Sequence, residues 1–170
     1  MAKLYMTVGI PGSGKSTYVN SLKDVVVVSS DGIREELFGD AGLQFTNKFL
    51  ESRGIDTSLS FKEKKHLAGQ IVFGMVFDRC REALSNGSDV VLDATSLSKF
   101  TRGSALSKLK GLYSEAIVLY FDVPLERALE NNNKRTRHVP ENIIASMFSK
   151  MEAPSMDEGF SRIEVIGQTC

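Results

Sequence analysis

Directly after the apolar run at residues 4–8 comes GIPGSGKST, residues 9–17, and no other stretch restricts this chain so much. Gly9, Gly12 and Gly14 allow backbone conformations that a Cβ forbids. The N–H groups of such a loop can turn inward around an anion, and a helix starting immediately afterwards adds its dipole. Residues 9–16 fit G-x-x-x-x-G-K-[ST], between a strand-like run and a helix-compatible stretch. The pattern sends Lys15 to β- and γ-phosphates and the Ser16 hydroxyl to Mg²⁺. Gly9, Pro11, Gly12, Ser13, Gly14, Lys15, Ser16 and Thr17 then form the expected cradle of a nucleoside triphosphate with its Mg²⁺.

The rest of the chain suits a fold that carries such a loop. Residues 4–8 (LYMTV), 25–28 (VVVV), 90–92 (VVL), 116–121 (AIVLYF) and 163–166 (IEVI) are short and rich in β-branched residues. They do not alternate with polar residues, which predicts strands of a parallel sheet buried on both faces. A helix is expected from about residue 61 to 85, with Leu67, Ile71, Met75 and Leu84 near one stripe and SNG as its stop. Pro124 and Pro140 each open a further helix. This alternation predicts a three-layer α/β/α architecture with a mainly parallel central sheet. Residues 39–60, with three glycines and weak periodicity, read as an irregular excursion above the sheet.

One domain over residues 1–170 is the expected organisation. The 21 basic and 21 acidic residues cancel, so any nucleic-acid surface is a local patch. Cys80 and Cys170 form no CxxC or zinc-ligand spacing, which suits a reducing compartment. No apolar run reaches membrane-spanning length. The expectation is a cytoplasmic protein without a membrane partner.

Further candidate residues follow the strands. The third strand ends VVLDAT, placing Asp93 where a carboxylate can hold the Mg²⁺ shell or the Ser16 hydroxyl; its structural role would be an acidic cap of the next helix. Guanine specificity normally needs N-K-x-D, and residues 47–50 (NKFL) lack the aspartate. Residues 93–96 (DATS) are no D-x-x-G switch, and a ring-forming motor needs a longer chain. A small kinase fits. In SSDGIREEL, residues 29–37, Asp31 and Arg34 stand three apart and share a helix face. Asp31 can accept a hydrogen bond from an attacking hydroxyl, and Arg34 can grip an acceptor phosphate in a fork. The basic cluster Arg127, Lys134, Arg135, Arg137 and His138 surrounds a break between two helices in residues 131–143. An arginine there, Arg135 foremost, can neutralise the transferring phosphoryl group from a lid at about residues 131–140.

Together these motifs resemble the polynucleotide 5′-hydroxyl kinase family, especially the kinase domains of phage and bacterial end-repair enzymes. The resemblance rests on GIPGSGKST, SSDGIR, VVLDATS, FDVPLERALENNNKR and HVPENIIASMFSKMEAP with the later EGF. It implies a P-loop NTPase fold of the kinase type and ATP·Mg²⁺ as donor, with a 5′-hydroxyl end of DNA or RNA as acceptor. It also implies Lys15 and Ser16 on phosphates and metal, Asp31 as general base, and Arg34 on the acceptor's 3′-side phosphate. Asp93 falls near the active centre and Arg135 becomes the lid arginine, with Arg137 close enough to compete for that position. A small-metabolite or tRNA-directed kinase on the same fold is the alternative.

Overall fold

The five valine-, leucine- and isoleucine-rich runs form five parallel strands in a computed structural model that describes residues 2–167; Cys170 lies outside the described residues. They are β1 (Lys3–Val8), β2 (Val25–Ser29), β3 (Asp89–Asp93), β4 (Glu115–Phe121) and β5 (Arg162–Ile166), in spatial order β2-β3-β1-β4-β5. The helices are α1 (Lys15–Ser21), α2 (Ser30–Phe38), α3 (Asn47–Ser52), α4 (Phe61–Ser85), α5 (Lys99–Leu109), α6 (Leu125–Asn133) and α7 (Glu141–Lys150). Because every pairing is parallel, the C-terminal ends of all strands reach the same edge of the sheet. In open α/β sheets that edge is where ligands bind, at the point where the strand order reverses.

The sheet divides its side chains between two layers. Leu4, Met6, Val8, Val90, Leu92, Ala116 and Val118 pack with residues of α2 to α5 in the main core. Ile117, Leu119 and Phe121 point the other way, against Tyr5 and the α1 residues Tyr18 and neighbouring Leu22. A third cluster joins Ile10 to Ala128 of α6 and Ile144 of α7, with Leu125, Val139 and Met147 around them. It seats the α6–α7 pair on the loop that follows β1.

Three expectations need correction in detail. Burial on both faces holds for β1, β3 and β4, whereas Val26 and Val27 of β2 and Val165 of β5 are exposed. β2 and β5 are edge strands with one neighbour each. Helix α4 spans the expected residues, closed by Asn86 and Gly87 and opened by a Ser60–Glu63 capping box. Its buried row, however, is Ala68, Val72, Val76, Cys80 and Leu84, one residue beyond most of the expected stripe. The bulkier Leu67, Ile71 and Met75 flank that row while small Ala68 and Cys80 face the core. Finally, residues 39–60 contain α3, capped by the Thr46 hydroxyl, which accepts from Phe49 N at 3.1 Å. Buried Phe49 and Leu50 anchor it, Phe49 meeting Phe38 edge-on at 5.0 Å. A helix of six residues is too short to show a period. Among the described residues no helix is long and apolar enough to cross a membrane.

Candidate active site

The loop expected from the sequence lies between β1 and α1. Gly12 and Gly14 have φ of 83° and 93°, in the left-handed region that favours glycine. A side chain at Gly12 would run into the Ala128 carbonyl of α6, and one at Gly9 would meet Ser13 Oγ and Phe121 Cβ at 2.8 and 2.9 Å. The loop is thus packed between β4 and α6, and Asn131 Nδ2 donates to Gly12 O at 3.0 Å. Helices α2, α3, α4 and α5 are capped by the hydroxyls of Ser29, Thr46, Ser60 and Ser98. Helix α1 has no side-chain cap and no acidic residue in its first turn, which leaves its N–H groups for an anion.

Lys15 Nζ donates to Gly9 O at 2.7 Å and Ile10 O at 2.8 Å and reaches Ser13 Oγ at 3.5 Å. Burial pushes its ammonium from 10.5 down to about 8; Asp93 opposes that shift, Arg135 adds to it, and Asp31 opposes it. Lys15 is therefore where the charges of Asp93, Arg135 and Asp31 meet. Asp93 ends β3, and burial raises its carboxyl pKa, as does the charge of Asp31, against the Thr7 hydroxyl and Lys15. Fully buried Thr7 has Asp93 Oδ1 at 3.0 Å and Ala94 O at 2.8 Å as alternative acceptors, and its Oγ1 accepts from Ala94 N at 3.2 Å. Asp93 is no helix cap, since α5 begins only at Lys99 and is capped by Ser98.

Asp31 is no cap either. Ser29 Oγ takes that role, accepting from Gly32 N at 3.3 Å, and Asp31 stands in the first turn of α2 with a largely exposed carboxylate. Arg34 Nη1 lies 3.6 Å from Asp31 Oδ1 and its guanidinium 5.9 Å from the Phe73 ring centre. Burial lowers the Arg34 pKa, Asp31 raises it and Arg137 lowers it further.

The lid has a support that sequence reasoning missed. Asn132 is buried, its Oδ1 accepting from Val139 N and its Nδ2 donating to Val139 O, both at 2.9 Å. One side chain therefore closes residues 133–138 into a hoop that carries exposed Arg135 and Arg137. Thr7 lacks motif character, and Asn131 and Asn132, although inside the NNNKR run, carry no sign of their partners in the sequence.

The donor set suits a nucleotide with a hard cation. Among the described residues no group of three or more His, Cys, Asp or Glu could hold a metal alone. Magnesium at kinase sites is bound by one or two protein oxygens plus substrate phosphates, which the Ser16 hydroxyl and Asp93 can provide. Cys80 takes no part: its thiol is buried and burial pushes it up to about 12.

Lys15 leads to a pH prediction. Between about 8 and 10.5 the unfolded chain holds the Lys15 proton and the folded chain does not, so this group's contribution to stability rises with pH through that window. A triphosphate at Nζ favours the charged form again. Nucleotide binding near pH 9 is expected to take up about one proton that Lys15→Met does not take up. Calorimetry in buffers of different ionisation enthalpy measures this, and equal uptake by both proteins contradicts it.

A parallel sheet of this order, with the glycine loop after β1 and helices on its faces, defines a P-loop kinase, a fold that implies ATP use. The chain belongs to the AAA domain family (AAA_33), whose model matches residues 4–154. It is 30% identical over 142 residues to the "Putative bifunctional polynucleotide kinase/RNA ligase" of Autographa californica nuclear polyhedrosis virus, covering 82% of this chain and 19% of that protein. It is 22% identical over 159 residues to the L-seryl-tRNA(Sec) kinase of Methanococcus maripaludis, covering 89% and 53%. A chain in the structure of the Pnkp1/Rnl/Hen1 RNA repair complex superposes with a TM-score of 0.65 at 23% identity, over 88% of this chain and 43% of that one. These matches bear out the resemblance to polynucleotide kinases, although the chain spans only about a fifth and about half of the two curated relatives.

Proposed function

We propose that this chain is an ATP-dependent polynucleotide 5′-hydroxyl kinase acting on DNA or RNA ends, a single kinase domain over residues 1–170 with a lid at about 131–140, working in the cytoplasm. The observation that carries the reading is the Asp31–Arg34 pair, 3.6 Å apart on α2, which starts from the C-terminal end of β2 at the same sheet edge as the glycine loop. In this reading the α1 N-terminus and Lys15 hold the β- and γ-phosphates. Arg34 holds the phosphate beside the acceptor hydroxyl, and Asp31 accepts the hydrogen bond of that hydroxyl. The acceptor oxygen forms its bond to the γ-phosphorus as the bond to the β–γ bridging oxygen breaks. The hydroxyl proton passes to Asp31 late in the step, and ADP departs. Arg135 neutralises charge on the transferring group. Bound Mg²⁺, on the Ser16 hydroxyl with Asp93 ordering its shell, would supply further neutralisation of the phosphate oxygens. The baculoviral relative and the RNA repair complex support this acceptor class. The seryl-tRNA kinase relative supports a second reading, a hydroxyl carried by tRNA.

The test is transfer of label from γ-labelled ATP to a panel of 5′-hydroxyl DNA and RNA oligonucleotides, seryl-tRNA and sugar acids. Label is expected on the oligonucleotides. Turnover of a sugar acid or seryl-tRNA, with none of any oligonucleotide, reverses the assignment. Arg34→Ala is expected to raise the KM for oligonucleotide by about 10–100-fold and that for ATP by less than about threefold. Equal changes in both constants contradict its acceptor role.

A further inference from the structure

We propose that Arg137, with Arg34, forms a two-guanidinium clamp for the phosphate next to the acceptor hydroxyl, while Arg135 on the same hoop serves the donor. The inference rests on the nucleic-acid reading above and assigns a residue which that reading leaves idle.

Arg137 is packed against the turn that follows α2, the helix bearing Arg34. A Cβ at Gly42 would lie 3.2 Å from Arg137 Nε and 3.5 Å from Cζ, so the absence of a side chain there lets the guanidinium approach. Asp40 Oδ1 holds the turn by accepting from Gly42 N at 2.6 Å. Arg137 makes no ion pair within 4 Å among the described residues, and Arg34 pairs only with Asp31, at a separation too long for a hydrogen bond. Arg34 is mostly buried, with 15% of its side chain exposed, and no carboxylate among the described residues hydrogen-bonds it. A like charge beside a mostly buried guanidinium raises its energy unless an anion joins the two. The charge of Arg137 is felt at Arg34, and that of Arg135 at Lys15. The hoop closed by Asn132 carries both arginines, and the contact at Gly42 sets Arg137 on the α2 side. Two planar forks suit the paired oxygens of one phosphate. The clamp selects 5′-hydroxyl ends that carry a neighbouring phosphate and discriminates against free nucleosides and neutral sugars.

The experiment measures equilibrium binding of a labelled 5′-hydroxyl oligonucleotide across a salt series, beside kinetics with a nucleoside 3′-phosphate and the same nucleoside lacking it. Arg137→Ala is expected to weaken oligonucleotide binding about 10–100-fold and to reduce the salt slope by about 0.7. Its KM for ATP should stay within about twofold of wild type, and its penalty should vanish for the nucleoside without phosphate. Gly42→Ala, whose new methyl group displaces the guanidinium, should weaken oligonucleotide binding in the same direction and spare ATP. Loss of ATP affinity or kcat with unchanged acceptor binding in Arg137→Ala moves the residue to the donor side and overturns the proposal. An equal penalty on both nucleosides overturns it too. A wild type active on oligonucleotides but indifferent to Arg137→Ala removes the clamp alone. A wild type that neither binds nor phosphorylates any of these acceptors removes the nucleic-acid reading and the clamp with it.

Discussion

Replacing Arg135 by alanine is expected to lower kcat by about 10³-fold or more while leaving the melting temperature unchanged. The two halves of this expectation have separate grounds. Arg135 is exposed on the lid and makes no ion pair within 4 Å among the described residues, so folding loses little when it is removed. Its charge nevertheless lowers the Lys15 pKa, and the hoop that bears it follows α6, the helix packed on the glycine loop at Gly12. A cation there acts most strongly where negative charge spreads over the transferring phosphoryl oxygens, a state reached only in the transition state. The loss should therefore fall on kcat rather than on the KM for ATP. Arg135→Lys keeps the charge without the planar fork and is expected to lie between wild type and alanine. Single-turnover transfer to an oligonucleotide measures the effect. A loss below about tenfold would assign the lid arginine's work elsewhere.

The second large effect concerns stability. Arg102 on α5 is fully buried, and its Nε and Nη2 donate to Glu158 Oε2 and Oε1 at 2.7 and 2.8 Å. Its Nη1 faces the carbonyls of Ser96 at 3.0 Å, Leu97 at 3.2 Å and Glu152 at 3.0 Å. One side chain thus ties the β3–α5 turn to the segment between α7 and β5, where Glu152 N donates to Leu97 O at 2.9 Å. The turn includes Ser96 at φ 46°, a left-handed conformation that costs a non-glycine residue about 1–2 kcal/mol. Arg102→Ala leaves the Glu158 carboxylate buried without its cation and the Ser96 and Glu152 carbonyls without the Arg102 donor. The expected cost is about 3–5 kcal/mol, a fall in Tm of about 10 °C or more. Arg102→Met combined with Glu158→Gln removes the stranded charge and should recover part of that loss. Denaturant unfolding of the three proteins checks both statements, and a loss under about 1 kcal/mol in Arg102→Ala contradicts the first. The turn also reaches the nucleotide loop, because Thr95 O accepts from Gly9 N at 3.2 Å. The destabilised variant should therefore bind nucleotide less tightly as well.

What could be read from the chain alone follows from the range of the forces involved. The strand runs and the glycine loop are local patterns, and each strand was found where its apolar residues predicted it. Helix α4 was legible at both ends because its signals, Ser60 with Glu63 and Asn86 with Gly87, are adjacent in sequence. Which row of α4 is buried was not, since that depends on how near the sheet the small residues Ala68 and Cys80 allow it to come. Helix α3 escaped notice because Phe49 and Leu50 gain their burial from distant partners such as Phe38. The site divides in the same way. Lys15, Asp31, Arg34, Asp93 and Arg135 lie in recognisable local motifs. Thr7, Asn131, Asn132 and Arg102 are polar residues whose partners are 87, 119, 7 and 56 positions away, at Ala94, Gly12, Val139 and Glu158. Buried polar groups must be satisfied, but a sequence does not say by whom.

The Asn132–Val139 closure has a geometric consequence. Seven Cα–Cα links separate its anchors, a contour of about 25 Å, so the midpoint of that tether can stray no more than about 12 Å from its moorings. Arg135 and Arg137 are thus held on a short leash between α6 and α7. Lengthening the leash between the same two moorings would let those side chains roam farther and meet the phosphates less often.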